Sequence, residues 1–98
     1  MEHNAYVYIM TNGNHTTFYI GVTTDLPQRI RQHREGTGSI FVQKYKLVKL
    51  VYFEGFDRII DAIAHEKRMK RWRRAWKESL IDKKNPNWED LFEGLWYI

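Results

Sequence analysis

Cysteine is absent from the 98 residues. That excludes disulfides, thiolate zinc sites and cysteine nucleophiles together, and it fits a reducing compartment. Proline occurs only at Pro27 and Pro86, and no Pro-, Gly- or Ser-rich stretch marks a linker. No internal repeat or low-complexity tract is visible. No run approaches the ~20 apolar residues of a membrane span. Met1-Glu2-His3-Asn4 lacks the basic segment and apolar run of a signal peptide, so a cytoplasmic location without a membrane partner is expected. Gly36-Thr37-Gly38-Ser39 lacks the lysine and the strand–loop–helix setting of a phosphate loop. His3, His15, His33 and His65 show no zinc spacing, and Ser39 and Ser79 have no evident triad partners.

What is present suits one compact α+β domain spanning residues 1–98. Hydrophobic residues make up 43% and aromatics 15%, enough for a modest core in which tyrosine, phenylalanine and tryptophan carry much of the burial. The net charge of +4 and a pI near 9.4 favour an anionic partner such as nucleic acid, though basicity alone is weak support.

Ala5-Tyr-Val-Tyr-Ile-Met10 and Phe18-Tyr-Ile-Gly-Val22 read as strands, with the Asn12-Gly13 turn signal between them; an antiparallel hairpin with a longish loop is expected. Asp25 can cap a helix in which Gln28, three residues on, is its capping-box partner, with Pro27 in the first turn and Gly36 at the end. Residues 40–46 fit no pattern clearly. Leu47–Glu54 reads as a third strand. A second helix is expected from about Asp57 to Trp72, a third from Arg73 or Arg74 to Lys83, and a last helical turn over Trp88–Gly94. The order predicts a small three-stranded antiparallel sheet flanked by helices.

Several residues are candidates for chemistry, each with a plainer alternative. Tyr8 and Tyr19 can meet across the hairpin, and a phenol whose pKa is lowered by a cation can act as a base or orient water; tyrosine is also simply common in strands. Arg29 and His33 share a helix face. Arg29 lies beside the Leu26–Ile30 stripe, where a guanidinium can hold a phosphate oxygen, or be one more solvated cation beside Arg31 and Arg34. Glu66 falls within an apolar arc of Ile59, Ala62, Ile63 and Met69, so its carboxylate needs a partner, either a metal ion or an arginine from the first helix. The run Lys67 to Lys77 includes Lys67, Lys70, Arg71, Arg73 and Arg74, and nine of the sixteen Lys and Arg residues fall between 67 and 84. With Trp72 and Trp76 on one face it suits a phosphate backbone, or it docks its tryptophans on the core while its charges are solvated.

The order of these features is more telling than any one of them. Tyr6-Val7-Tyr8, then Tyr19-Ile20-Gly21, Arg29 and a distant helical Glu66 together resemble the GIY-YIG nuclease family. The resemblance runs from residue 5 to about 75, with a helical extension over about 76–98. It is nearest to small stand-alone proteins related to the N-terminal nuclease domain of the excinuclease C subunit. It implies a metal-dependent DNA endonuclease, with repair or recombination as the setting such an activity fits and a protein partner for targeting. In that scheme Tyr8 and Tyr19 line the site, Arg29 stabilises the phosphate, His33 assists proton transfer, and Glu66 holds a single Mg²⁺ or Mn²⁺. The family's late asparagine is matched weakly by Asn85 or Asn87. Tyr6 replaces the glycine of the first motif, at a strand position removed from the reacting phosphate. A non-catalytic nucleic-acid-binding module and a protein-interaction domain using exposed aromatics are the other readings.

Overall fold

In the computed structural model, which describes residues 3–97, three strands and four helices follow in the order β1 (Ala5–Thr11), β2 (Phe18–Thr23), α1 (Leu26–Glu35), α2 (Ile40–Tyr45), β3 (Lys49–Phe56), α3 (Ile59–Arg71) and α4 (Arg74–Lys84). A 3-10 turn, Glu93–Tyr97, follows. The sheet is antiparallel throughout, in the order β2-β1-β3. Every residue of β1 is buried, because a central strand has both faces covered. Its alternation divides the core in two. Val7 and Ile9 pack with Ala62, Met69 and Ile81 of α3 and α4. Tyr6, Tyr8 and Met10 pack with Leu26 and Ile30 of α1, Val42 of α2, and Leu95.

The hairpin is as expected, and its loop is held by one side chain. Asn12 Oδ1 accepts from the N–H groups of Thr16 (2.8 Å) and Thr17 (3.2 Å). Asp25 caps α1 by accepting from Gln28 N at 3.1 Å, and Gly36 closes it in the left-handed region at φ 79. The reciprocal half of the capping box does not form: Asp25 N donates to Thr23 Oγ1 instead (3.0 Å). Residues 40–46, ambiguous in sequence, contain the short helix α2, capped by Ser39 and ended by Lys46 at φ 55.

Three boundaries shift. The third strand starts at Lys49, because Leu47 turns into the α1–α2 core just after α2. A bulge between Ile9 and Met10 then lets both Val51 and Tyr52 bury on the α3 side. The second predicted helix begins at Ile59, and only Ala62 and Met69 of its expected apolar arc are buried; Ile59 (42% exposed) and Ile63 (38%) face outward. The final turn is Glu93–Tyr97 rather than Trp88–Gly94, because Asp90 and Leu91 are held against the outer edge of β3 instead. There Leu91 N donates to Leu50 O (2.8 Å) and Leu50 N donates to Asp90 Oδ1 (3.3 Å). Asn85 anchors that segment, with its side-chain amide donating to Val51 O (3.0 Å) and Glu89 O (2.8 Å) and accepting from Glu89 N (3.0 Å). The outer edge of β3 is thus covered at Leu50 and Val51, whereas β2 forms the other edge of the sheet.

Candidate active site

Tyr8, Tyr19, Arg29 and His33 come together where α1 crosses the sheet. Tyr8 is on the central strand, and Tyr19 is diagonal to it on β2, opposite Met10. Their rings are 6.2 Å apart and tilted by 43°. The Tyr8 ring lies across Gly21, its cross-strand partner, so closely that a Cβ there would stand 2.4 Å from the phenol carbon and oxygen. Glycine at this position is therefore a steric requirement of Tyr8.

From above, His33 reaches down to Tyr8. Its Nε2 and the Tyr8 hydroxyl are hydrogen-bonded at 2.8 Å, and its ring meets that of Tyr19 edge-on at 5.3 Å. His33 is 3% exposed, and its Nδ1 has no hydrogen-bond partner among the described residues. That nitrogen lies against Gly38, where a Cβ would approach to 2.7 Å. Arg29, one helical turn before His33, brings its positive charge close to the Tyr8 phenol. Tyr19, Arg29 and His33, together with Gly38 and Ser39 after α1, line an open cleft of about 360 Å³ that contains no carboxylate.

Burial raises the Tyr8 pKa well above the usual phenol range, and neighbouring Tyr19 adds to this; the Arg29 charge opposes it without winning. A phenolate formed in advance, as a cation-lowered pKa would allow, is thus not what this environment supports. His33 is shifted the other way, kept neutral first by burial and then by the Arg29 charge. The site holds a protonated phenol against a neutral imidazole.

Glu66 lies elsewhere. It projects between Ala62 and Met69 from α3, on the opposite side of the sheet from α1. Its side chain is 13% exposed, and its ion-pair partner is Lys70 of the same helix at 3.4 Å, not an arginine of the first helix. The two sides communicate around the outer edge of β2. A second groove, of about 310 Å³, is lined there by Phe18, Tyr19, Ile20, Phe41, Lys70 and Lys77, so Tyr19 and Lys70 border the same space. No cluster of three or more His, Cys, Asp or Glu occurs among the described residues. A largely shielded carboxylate that belongs to no larger ligand cluster among the described residues suits a hard ion that keeps most of its waters, as Mg²⁺ does.

The basic run divides. Lys67, Lys70 and Arg71 belong to α3, Arg73 joins the two helices, and Arg74 opens α4; all five are exposed. Arg74, however, donates to the main-chain oxygens of His15 and Thr16, covers the Phe18 ring at 4.1 Å and pairs with Glu78 at 3.4 Å. Its guanidinium is a clamp on the β1–β2 loop. Lys77, not singled out from the sequence, lines the β2 groove instead; no local spacing marked it, because the break at Trp72 and Arg73 puts it on a different helix from Lys70. Trp72 packs against the core, but Trp76 is 56% exposed, contrary to the packed position expected for both. Asn85 is fully engaged in the main-chain bonds described above, which leaves Asn87 as the exposed asparagine there. Tyr6 is buried beside Phe53, and its hydroxyl accepts from His3 N at 3.3 Å. It faces the same side as Tyr8 but lies one pleat further from Tyr19.

Comparison with known proteins agrees with this layout. The profile of the GIY-YIG catalytic domain family matches residues 4–79. A UPF0213 protein of Streptococcus pneumoniae is 33% identical over the whole of this chain and 99% of its own length. One from Halobacterium salinarum is 36% identical over 81% of this chain and 99% of its own. The solution structure of UPF0213 protein BH0048 from Bacillus halodurans superposes with a TM-score of 0.56 at 30% identity, covering 88% of this chain and 90% of that one. A profile match over most of the chain, with relatives of matching length and fold, makes this chain a member of the GIY-YIG catalytic domain family.

Proposed function

We propose that the chain is a divalent-metal-dependent endonuclease that hydrolyses phosphodiester bonds in DNA. The observation that carries this reading is the convergence of Tyr19, Arg29 and His33 on one carboxylate-free cleft, with buried Tyr8 hydrogen-bonded to His33 behind its wall. Arg29 binds a non-bridging phosphate oxygen and offsets the charge that grows on it in the pentacovalent transition state. Tyr19, at the cleft wall, orients the attacking water. Tyr8, buried behind the wall, acts as a relay: it accepts the proton handed inward from the water at the cleft wall as it passes its own to neutral His33 Nε2, so no free phenolate accumulates. The water oxygen bonds to phosphorus, the ester P–O bond breaks, and the leaving oxygen is protonated from solvent. Glu66 would hold Mg²⁺ or Mn²⁺, which when bound supplies Lewis-acid stabilisation of phosphate and leaving-group charge. Lys67, Lys70, Arg71 and Arg73 support the approach of the backbone, and a role in repair or recombination fits such a chemistry.

The test is cleavage of labelled duplex, nicked, flapped and branched DNA, and of single-stranded DNA and RNA, with Mg²⁺, Mn²⁺ or EDTA. Metal-dependent cutting is expected, with loss of about a hundredfold or more in Arg29→Ala, the scale of removing one transition-state donor. Glu66→Gln should abolish cutting while changing stability by less than about 0.5 kcal/mol, because its partner is an exposed i,i+4 lysine. Binding without cutting on every substrate and metal would replace the enzyme with a nucleic-acid-binding module.

A further inference from the structure

Helix α2 is placed beside the cleft and presents its aromatic side outward. Val42 alone of its residues is buried. Phe41 and Tyr45, one turn apart, are 43% and 41% exposed, with ring centroids 4.7 Å apart. The series continues to Tyr19, whose ring is 6.3 Å from that of Phe41. Three rings therefore lead from the surface to the wall of the catalytic cleft. Phe41 and Tyr45 are held by a short helix capped at both ends and Tyr19 by strand β2, so little order remains to be imposed when a ligand arrives.

The surroundings select what lies on these rings. Phe41 shares its groove with Lys70 and Lys77, and Lys44 Nζ sits 5.5 Å from the Tyr45 ring centre. No carboxylate lines either that groove or the adjoining cleft. Apolar rings with cations on both sides suit a ligand that alternates flat faces with negative charge. Unpaired nucleotides do so: each base offers a π-face, and each linkage a phosphate. A duplex does not, because its neighbours cover both faces of every internal base. A second copy of this chain would bring like charge to like charge.

We propose that the Tyr19–Phe41–Tyr45 face is a stacking subsite for unpaired bases, which leads single-stranded DNA past Lys70 and Lys77 into the cleft. The inference rests on the nuclease reading for what happens to that strand, but binding itself needs no reaction.

The experiment is fluorescence anisotropy in EDTA, with a labelled single strand, the matching duplex, and the same strand carrying one abasic site at each position in turn. Phe41→Ala should weaken single-strand binding about fivefold or more and duplex binding less than about twofold, as expected for loss of one stacked base. An abasic site at the stacked position should cost the wild type a similar factor and Phe41→Ala almost nothing. Tyr45→Ala should behave alike, and circular dichroism confirms that these exposed positions leave the fold intact. Lys70→Gln should weaken both ligands and flatten the salt dependence. Equal losses on both ligands in Phe41→Ala, or none, overturn the proposal. So does a sedimentation result in which Phe41→Ala dissolves a dimer. Because no cleavage is read, a catalytically silent protein that still shows the Phe41 signature would sink the nuclease reading and leave this one standing.

Discussion

Gly21→Ala is the most incisive single substitution this structure offers. Gly21 is not among the residues of positive φ, so alanine meets no backbone objection. The objection is local: the new methyl would stand 2.4 Å from the Tyr8 phenol carbon and oxygen and 2.8 Å from a ring-edge carbon. Tyr8 has 0% exposure and cannot swing into solvent, so the ring or the strand must move. Overpacking of this kind costs about 1–3 kcal/mol. Displacing the phenol also breaks its 2.8 Å bond to His33 Nε2, leaving a second buried ring nitrogen unpaired at a cost of about 1 kcal/mol or more. The sum, about 2–4 kcal/mol, should lower the urea midpoint by about 1–2 M at an ordinary m-value. Cleavage should fall about a hundredfold or more in protein that is still folded, because the proton relay is severed. Tyr8→Leu placed on top of Gly21→Ala should recover most of the stability and none of the activity. A midpoint within about 0.3 M of wild type, together with an unchanged rate, would refute the steric account of this motif.

Asn85→Ala should destabilise by about 2–4 kcal/mol in denaturant titration, since it removes three hydrogen bonds and orphans groups that fix the last segment to β3. Arg74→Ala should cost about 1–2 kcal/mol and speed amide exchange at residues 15–17, while changing DNA affinity less than Lys77→Ala does. The lowered pKa of His33 gives a pH signature. The unfolded state takes up the proton first, so His33 contributes stability that is fully present above its ordinary value, about 6.5. That contribution is lost as pH falls from there through the folded-state pKa. Thermal unfolding from neutral pH down to pH about 5 should show this decline, and His33→Gln should flatten it. Catalysis that needs neutral His33 should decline in the same acidic range and level off above it.

Much of this was legible in the chain because it depends on local rules. The β1–β2 hairpin follows from strand composition around Asn12-Gly13, and α1 follows from Asp25, Pro27 and Gly36. Tyr8, Tyr19, Arg29 and His33 were legible as a set through their order, and the hairpin register with one helical turn suffices to bring them together. What the sequence hid is non-local. Helix α2 has six residues and a single buried one, too few for any period to emerge. The apolar arc of α3 misled because the buried line runs through Ala62 and Met69, and Ile59 and Ile63 are turned away from it around the helix. Arg74 looks like its neighbours in sequence, and only the position of the β1–β2 loop turns it into a clamp. The Tyr8 environment runs against the expectation of an activated phenol, because depth of burial outweighs a nearby guanidinium and leaves no trace in local sequence.

The uncovered edge of β2 has a cost of another kind. A strand with unpaired main-chain groups invites pairing with a strand from another molecule, which is a common beginning of aggregation. At the start of β3 that hazard is met by the chain's own last segment, where Asp90 and Leu91 bond the edge at Leu50. On β2 no such cover can be laid without closing the groove, and the guard there is electrostatic: Lys70 and Lys77 stand beside Phe18, Tyr19 and Ile20. Lysine at an open edge repels a second copy while it welcomes a polyanion. Neutralising both lysines would therefore do more than weaken a ligand; it would make the protein prone to self-association at concentrations where the native chain stays dispersed.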